Sequence, residues 1–206
     1  MNTKKTLKVV LVEPAGTINV GSVARLCENF CVDELRIVSP NCDHLAQDAK
    51  NMAVKGLKIL EKAKVYEDLN KALSDCTRII ATCGRKDHGA IPLNSNKDAL
   101  FWALDSDREE TIALVFGRED RGLSNEELLK ANKVISLNTS ENYPSLNLSH
   151  AVAIVLHQLH QFNSLNSLKP AKIKSYPANL IKLEDCINDA GNLFLDIGFL
   201  MKHTYK

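Results

Sequence analysis

The sequence predicts a doubly wound α/β fold, in which helices cover both faces of a parallel sheet. Short apolar runs, some of them rich in β-branched residues, alternate along the chain with stretches in which apolar residues recur every three or four positions. The composition agrees, because 45% hydrophobic and 25% charged residues in a chain of 206 are typical of a globular protein with one good core and an appendage.

Six apolar runs are predicted to be strands. They are residues 7–12, 35–38, a brief run near Val65, 77–82, 112–116 and 134–137. Ser39 and Pro40 end the second run and Gly117 ends the fifth, as turn-forming residues do. Because helices separate these runs, we expect the strands to pair in parallel.

The stretches between and after the strands have the spacing of helices. The predicted helices cover residues 21–30, 45–60, 68–73, 96–104, 124–131 and 150–162. Ser124, followed three residues later by Glu127, is a capping box and marks a helix start. Leu148, Val152 and Val155 give the last of these helices one buried face.

Composition also limits the class of protein. A formal net charge of +1 indicates that the whole molecule does not strongly attract nucleic acid. No stretch of the sequence approaches the ~20 apolar residues of a membrane helix, and we expect a cytoplasmic protein without a membrane segment. The six cysteines form no C-x-x-C pair, which indicates reduced thiols. His157 and His160 lack a second ligand pair, so no metal is expected.

In doubly wound folds, ligands bind beyond the carboxyl ends of the strands. Three such places carry small or polar residues, namely residues 82–84, residues 117–119 and the loop 142–149. In that loop Ser145 and Asn147 precede the unpaired N–H groups at a helix start. The sequence has neither G-x-G-x-x-G after the first strand nor G-x-x-x-x-G-K-[ST], which disfavours a dinucleotide oxidoreductase or an NTPase.

Each candidate motif is weak when it is taken alone. The turn after the first strand carries Asn19 and Gly21, and Arg25 follows on the next helix. Turns favour Asn and Gly, and helices accept surface Arg, so this pattern has an ordinary structural explanation. The loop with Ser145 and Asn147 is equally typical of a helix cap. The combination and order of the motifs are more specific.

Three segments, residues 19–25, 114–124 and 145–149, closely resemble in order and spacing the three motifs of the SpoU/TrmH class of SPOUT RNA 2′-O-ribose methyltransferases. The likeness spans roughly residues 7–162. It is strongest to the TrmJ branch, which methylates the ribose of nucleotide 32 in the tRNA anticodon loop.

The resemblance implies a C-terminal trefoil knot, a homodimer and S-adenosylmethionine as cofactor, with tRNA as the macromolecular partner. Such a knot is a rare exception to the rule that chains are unknotted. The implied cofactor-binding residues are Thr82, Cys83, Gly84, Gly117, Ile135, Leu137, Ser145, Leu146 and Asn147.

The family resemblance also implies the catalytic residues, with Arg25 in the central role. A guanidinium has a free pKa above about 12, so we expect Arg25 to bond the ribose hydroxyl oxygen and a neighbouring phosphate, while a phosphate or water accepts the proton. Asn19 would fix Arg25 or the ribose, and Ser145 with Asn147 would complete the cradle of the hydroxyl. Glu119 would either pair with an arginine or accept hydrogen bonds from the loop.

RNA binding is expected around the same strand ends, since a dimer can hold phosphates on both sides of a loop. The candidate RNA-binding residues are Arg25, Arg85, Lys86, Arg118 and Arg121. For Arg121 a simple salt bridge to Glu119 or Asp120 is the structural alternative.

The composition changes after Phe162. Residues 163–167 and 169–177 are polar and include two prolines, which predicts a linker. Apolar residues then recur at steps of three and four, at Leu180, Leu183, Ile187, Ala190, Phe194, Ile197 and Met201. We expect residues 1–163 to form the methyltransferase domain and residues 164–206 a linker and a helical extension.

The sequence leaves the exact activity open. Within the same chemistry, the target is alternatively the tRNA wobble nucleotide or ribosomal RNA. From a different class, the chain is alternatively a knotted RNA-binding protein without transfer activity, or a doubly wound module for another nucleotide.

Overall fold

The computed structural model of the chain describes residues 5–84, 89–106, 108–140, 142–143, 145–167 and 180–199. The chain divides into two compact units, residues 1–167 and residues 168–206, and each is considered by itself. In the part of the chain that is described, no helix has the length and apolar character needed to cross a membrane.

The first unit is built on a six-stranded sheet in which every neighbouring pair is parallel. The strands are β1 Lys5–Val12, β2 Glu34–Val38, β3 Lys64–Tyr66, β4 Arg78–Thr82, β5 Glu110–Phe116 and β6 Lys133–Ile135. Their order across the sheet is β3-β2-β1-β5-β4-β6. The predicted parallel sheet is confirmed, and the last strand ends two residues earlier than predicted.

Seven helices of the described residues belong to this unit. They are α1 Thr17–Asn29, α2 Gln47–Ala53, α3 Leu57–Glu61, α4 Leu69–Leu73, α5 Asn96–Leu104, α6 Asn125–Leu128 and α7 Leu148–Ser167. Helix α7 continues through residues 163–167, which the sequence analysis interpreted as the start of a linker. The second unit contains α8, Leu180–Asp196, and Met201 of the predicted stripe lies outside the described residues.

The sheet is covered on both faces, because consecutive residues of a strand point to opposite sides. Val9 and Leu11 of β1 join a core with residues of α1, α2, α3, α5 and α7. Val10 and Val12 join a second core with residues of α4 and α6. This arrangement of helices on both faces is the predicted one.

The predicted single helix over residues 45–60 is wrong, because the chain breaks at Val54. Val54 has φ +49° and ψ −112°, and a 3₁₀ turn, Val54–Gly56, separates α2 from α3. A β carbon on Gly56 would lie 2.4 Å from the carbonyl oxygen of Ala24, so the turn packs directly on the backbone of α1. The break therefore lets this segment follow the surface of α1.

A second close approach fixes α1 from the neighbouring helix. A β carbon on Gly21 would lie 2.2 Å from the carbonyl oxygen of Ala49 in α2. Only glycine permits such contact between two backbones. Helix α1 begins at Thr17, so Asn19 and Gly21, which were expected in the preceding turn, lie in the helix with Arg25. The helix is therefore held at two points along its length.

Candidate active site

Three segments that are distant in sequence meet at the carboxyl edge of the sheet and are joined there by hydrogen bonds. The side-chain amide of Asn19 donates to Oε1 of Glu119 at 2.9 Å. The side-chain amide of Asn147 donates to Oδ1 of Asn19, also at 2.9 Å. The sequence analysis expected these three residues to act together, and the structure brings their side chains into one connected cluster, the Asn19–Glu119–Asn147 cluster.

The carboxylate of Glu119 is surrounded by donors. Besides Asn19, it accepts the backbone N–H groups of Ala15 and Gly16, each at 3.1 Å. Burial by itself would raise the pKa of Glu119, but these hydrogen bonds outweigh it and the pKa is lowered. Of the two roles considered for Glu119, the structure shows the second, an acceptor that holds the loop before α1.

Asn147 also begins helix α7. Its Oδ1 accepts the backbone N–H of Ser149 at 2.9 Å and the hydroxyl of Ser149 at 2.7 Å. This is the geometry of an N-cap, so the structural explanation holds for this residue. The cap fixes the amide group of Asn147 in the orientation that reaches Asn19.

A cavity of about 130 Å³ opens beside this cluster. A single water needs about 10–15 Å³ by a comparable measure, so the cavity has room for part of a small organic molecule. Seven of the nine residues expected to bind a cofactor line it, namely Thr82, Cys83, Gly84, Gly117, Leu137, Ser145 and Leu146.

Two of the expected cofactor-binding residues are not on the cavity wall. Ile135 is fully buried, and its carbonyl oxygen accepts the N–H of Cys83 at 2.8 Å, so it positions a wall residue from behind. Asn147 is directed to Asn19 instead. The wall also includes Phe116, Leu148 and Ala151, which were not among the residues expected to bind the cofactor.

The loop after β5 is folded tightly on itself beside the cavity. A β carbon on Gly117 would lie 2.3 Å from the backbone of Gly122 and of Leu123. The N–H of Gly122 donates to the carbonyl oxygen of Arg118 at 3.0 Å, and Gly122 has φ +67°. Both glycines are therefore required by the shape of the loop.

Arg118 holds this loop through two carboxylates. Its guanidinium donates to Oε2 of Glu13 at 2.7 Å and to both oxygens of Glu127 at 2.8 and 2.9 Å. The hydrogen bonds that Arg118 donates, first to Glu13 and then to Glu127, raise the pKa of Arg118 further above its usual range. With 10% of its side chain exposed, Arg118 is placed to fasten the loop and is poorly placed to contact RNA.

Arg121, unlike Arg118, is mostly exposed to solvent. Its side chain is 65% exposed and its ion pairs, to Glu13 at 3.2 Å and to Asp120 at 3.7 Å, are at the surface. A phosphate could replace these weak partners. Of the two loop arginines, Arg121 is therefore the one that suits RNA contact. Arg85 and Lys86, the other basic candidates of the sequence analysis, lie outside the described residues.

The role of Glu13 is not indicated by the sequence. Its φ is +47°, an unfavourable backbone conformation for a residue with a side chain. Hydrogen bonding by Arg118 outweighs burial and lowers the pKa of Glu13, which keeps it ionised beside two arginines. The signal for Glu127 was present, since the capping box was identified, but a capping carboxylate does not by itself indicate an arginine partner.

Arg25 lies away from the cavity in the single chain. It is exposed on α1, and among the described residues no hydrogen bond or ion pair involves its side chain. It follows Asn19 by six residues, which places it about 9 Å further along the helix axis. One chain therefore assembles Asn19, Glu119, Ser145 and Asn147 at the site without Arg25.

The comparison with known families agrees with this geometry. The sequence profile of the SpoU rRNA methylase family matches residues 6–157. The chain belongs to the SpoU methylase family. The resemblance inferred from the three motifs is thereby confirmed, and the matched residues include the whole Asn19–Glu119–Asn147 cluster.

Relatives within the SpoU family include several TrmJ proteins. The tRNA (cytidine-2′-O-)-methyltransferase TrmJ of Methanocaldococcus jannaschii is 40% identical over 157 residues, which cover 74% of this chain and 66% of that protein. The chain thus spans just under two thirds of the length of this relative.

Solved structures of two related proteins share the fold. A probable methylase family protein from Haemophilus influenzae Rd KW20 has a TM-score of 0.73 and 27% identity, with 96% of this chain and 82% of that chain covered. TrmJ from Z. mobilis ZM4 has a TM-score of 0.70 and 25% identity, with 95% and 82% covered.

Proposed function

We propose that this SpoU family member is an S-adenosylmethionine-dependent 2′-O-ribose methyltransferase of tRNA, acting on a cytidine or uridine at nucleotide 32 of the anticodon loop. The observation that carries the proposal is the Asn19–Glu119–Asn147 cluster beside the cavity. The names of the TrmJ relatives support tRNA as the substrate, and such a substrate implies a cytoplasmic site of action.

The residues of the cavity suit S-adenosylmethionine. Phe116, Leu137 and Leu146 offer apolar surface, on which an adenine ring can lie. Gly84 and Gly117 leave backbone N–H and C=O groups accessible, since they have no side chain to cover them. The bound cofactor supplies a methyl group on a positively charged sulfonium, and the chain supplies the pocket and the alignment.

The proposed function includes a chain that is knotted around the cofactor pocket. The segment after β6 leaves the far edge of the described sheet, and Ser145 and Leu146 then return to the same cavity that the loops after β4 and β5 line. This path supports a trefoil knot around the cofactor pocket. A knotted wall would be rigid, which suits a reaction that depends on alignment.

Alignment is the main catalytic task of the protein. Methyl transfer from a sulfonium to an oxygen neutralises opposite charges, so an oxyanion hole is of less value than a correct line of oxygen, carbon and sulfur. Positioning of this kind is worth ~7–11 kcal/mol at best. Asn19, Ser145 and Asn147 would hold the ribose hydroxyl, and Glu119 would hold Asn19.

Arg25 is proposed to complete the site of the partner subunit in a homodimer. Its exposure, its lack of a described partner and its distance from Asn19 along α1 all support a role across an interface. It would bond the 2′-oxygen and the adjacent phosphate, which favours loss of the proton to a phosphate or to water.

The test is methyl transfer from labelled S-adenosylmethionine to unmodified tRNA, followed by mapping of the methylated nucleotide. The proposal expects one 2′-O-methyl group at nucleotide 32. Arg25→Ala should abolish transfer and leave cofactor affinity within about twofold of the parent, because the proposed role of Arg25 is on the RNA. A methyl group at the wobble nucleotide or in ribosomal RNA would show that nucleotide 32 is not the target. Cofactor binding without transfer to any RNA would contradict the proposed activity.

A further inference from the structure

A row of exposed lysines begins beside Arg25 and follows the segment from the 3₁₀ turn to the end of α3. Lys55 lies in the turn, Lys58 lies in α3, and Lys62 caps the end of α3. Spacings of three and four residues place successive side chains on one side of a helix. These three residues are called the lysine row.

The position of the lysine row relative to Arg25 is fixed by backbone contact. A β carbon on Gly56, the residue after Lys55, would lie 2.7 Å from the backbone nitrogen of Arg25. Lys55 is therefore a near neighbour of the proposed catalytic arginine. From Lys55 to Lys62 the segment advances by about 10 Å.

The far end of the row lines a groove. Lys58 and Lys62 border it together with Lys64 on the edge strand β3. The Nζ atom of Lys64 forms an ion pair with Oε2 of Glu34 at 3.0 Å. Within the described part of the chain, no ion pair or hydrogen bond engages the side chains of Lys55, Lys58 or Lys62.

The chemistry of the row suits a phosphate backbone. Three exposed ammonium groups without carboxylate partners bind phosphates as point charges and displace counterions, whichever bases the nucleic acid carries. Glu28 and Glu61 are also exposed on α1 and α3, and Asp33 and Glu34 line the same groove as Lys58 and Lys62, so the positive surface is narrow and limited to the row.

We infer that the lysine row is an RNA-binding track that carries the tRNA backbone away from Arg25, outside the target nucleotide itself. This inference rests on the proposed function, since it assumes that Arg25 meets the target ribose. The row provides affinity and orientation, and the cavity provides the chemistry. The sequence analysis did not single out these lysines, because they are separated along the chain and become a row only when the segment is helical.

The test compares two triple variants of the full chain. Lys55→Gln, Lys58→Gln and Lys62→Gln removes the row, and Lys71→Gln, Lys97→Gln and Lys130→Gln removes three exposed lysines elsewhere with the same change of charge. Binding of unmodified tRNA is measured across a series of salt concentrations, and KM and kcat are measured for tRNA and for S-adenosylmethionine.

The inference expects the row variant to weaken tRNA binding by about tenfold or more at low salt and to reduce the salt slope by about 2–3. The KM for tRNA should rise, while kcat and the KM for S-adenosylmethionine stay at parental values, and the control variant should change none of these by more than about twofold. Equal tRNA affinity and salt slope in the two variants would overturn the inference. A parent chain that binds and methylates no RNA would instead overturn the proposed function.

Discussion

Val54 shows what one residue contributes to the position of the site. Its φ of +49° with ψ −112° is unfavourable for a β-branched side chain, and the residue is 54% exposed, so little packing compensates. The conformation is maintained because the following turn must pack on α1. Strain of this kind can be tested without touching the site.

Val54→Gly should raise the free energy of unfolding by about 1 kcal/mol, because relief of ~1–3 kcal/mol of strain exceeds the ~0.5–1 kcal/mol that glycine loses in entropy. Denaturant unfolding measures the free energy of unfolding of the variant and of the parent. Val65→Gly is the matched control, since Val65 is 51% exposed in β3 with ordinary strand geometry, and it should destabilise. If both variants lose stability alike, Val54 is not strained.

Glu119 is the residue whose charge the site depends on. Because its pKa is lowered in the folded chain, its ionisation stabilises the fold fully above the unfolded-state value of about 4.5, and this contribution is lost as pH falls below that value. Protonation would place a donor among the N–H groups of Ala15, Gly16 and Asn19.

Glu119→Gln should therefore lower the free energy of unfolding by about 1–3 kcal/mol at neutral pH, since an amide leaves backbone donors unpaired. The difference between variant and parent should shrink as pH falls below about 4.5. Urea unfolding from pH 7 to pH 3 measures the free energy of unfolding of both proteins. Methyl transfer at pH 7 should also fall, because the Asn19–Glu119–Asn147 cluster loses its carboxylate. If the difference in free energy of unfolding between variant and parent stays constant over the whole pH range, ionisation of Glu119 does not stabilise the fold.

At the scale of elements, the loop between β5 and α6 depends on the contacts of Arg118. The guanidinium joins the loop after β1, through Glu13, to the capping carboxylate of α6, Glu127. A lysine has one ammonium group and cannot bridge two carboxylates with the same geometry. The cavity wall should therefore loosen when Arg118 is replaced.

Arg118→Lys should raise the Kd for S-adenosylmethionine several-fold and lower the free energy of unfolding by about 1–3 kcal/mol. Arg121→Lys is the control in the same loop, and its surface pairs predict a change within about 0.5 kcal/mol. Isothermal titration and denaturant unfolding give the two quantities. Unchanged cofactor affinity in Arg118→Lys would show that the loop keeps its shape without the bidentate contacts.

Elements differed in how well the sequence predicted them. The six strands were predictable because each is a short apolar run beside a turn residue, and that signal is local. The break at Val54 was not, because it arises from the packing of Gly56 on Ala24, a contact between segments about 30 residues apart. The length of α7 was underestimated because residues 163–167 are mostly polar and give little apolar signal, although they continue the helix.

Site residues also differ in whether a local sequence signal or only a contact between distant segments identifies them. Asn19, Glu119 and Asn147 were predicted through family resemblance, and no periodicity in the sequence indicates that they touch. The carboxylate partners of Arg118 were not predicted, because a basic residue in a loop gives no sign of which distant acids it contacts. Glu13 could not be assigned without the fold, since its partner is 105 residues away.

On the scale of the whole molecule, arginines that are buried and paired have a different task from arginines that are exposed. Towards the amino ends, Arg36 is 2% exposed and is fixed by Asp75 at 2.7 and 2.9 Å, a contact that supports the fold far from the cavity. Arg121 is exposed at the carboxyl ends, and Arg25 is exposed on α1. The buried charges thus stabilise the scaffold, and the exposed ones are available to a phosphate-rich partner.

The central claim is that each active site combines three loops of one chain with Arg25 of its partner, and mixing two inactive variants tests it most directly. Arg25→Ala and Asn147→Ala are co-refolded in equal amounts, and methyl transfer to tRNA is measured. Half of the dimers are then mixed, and each mixed dimer has one intact site, so the account predicts about a quarter of parental activity. No activity above that of the separate variants would contradict it.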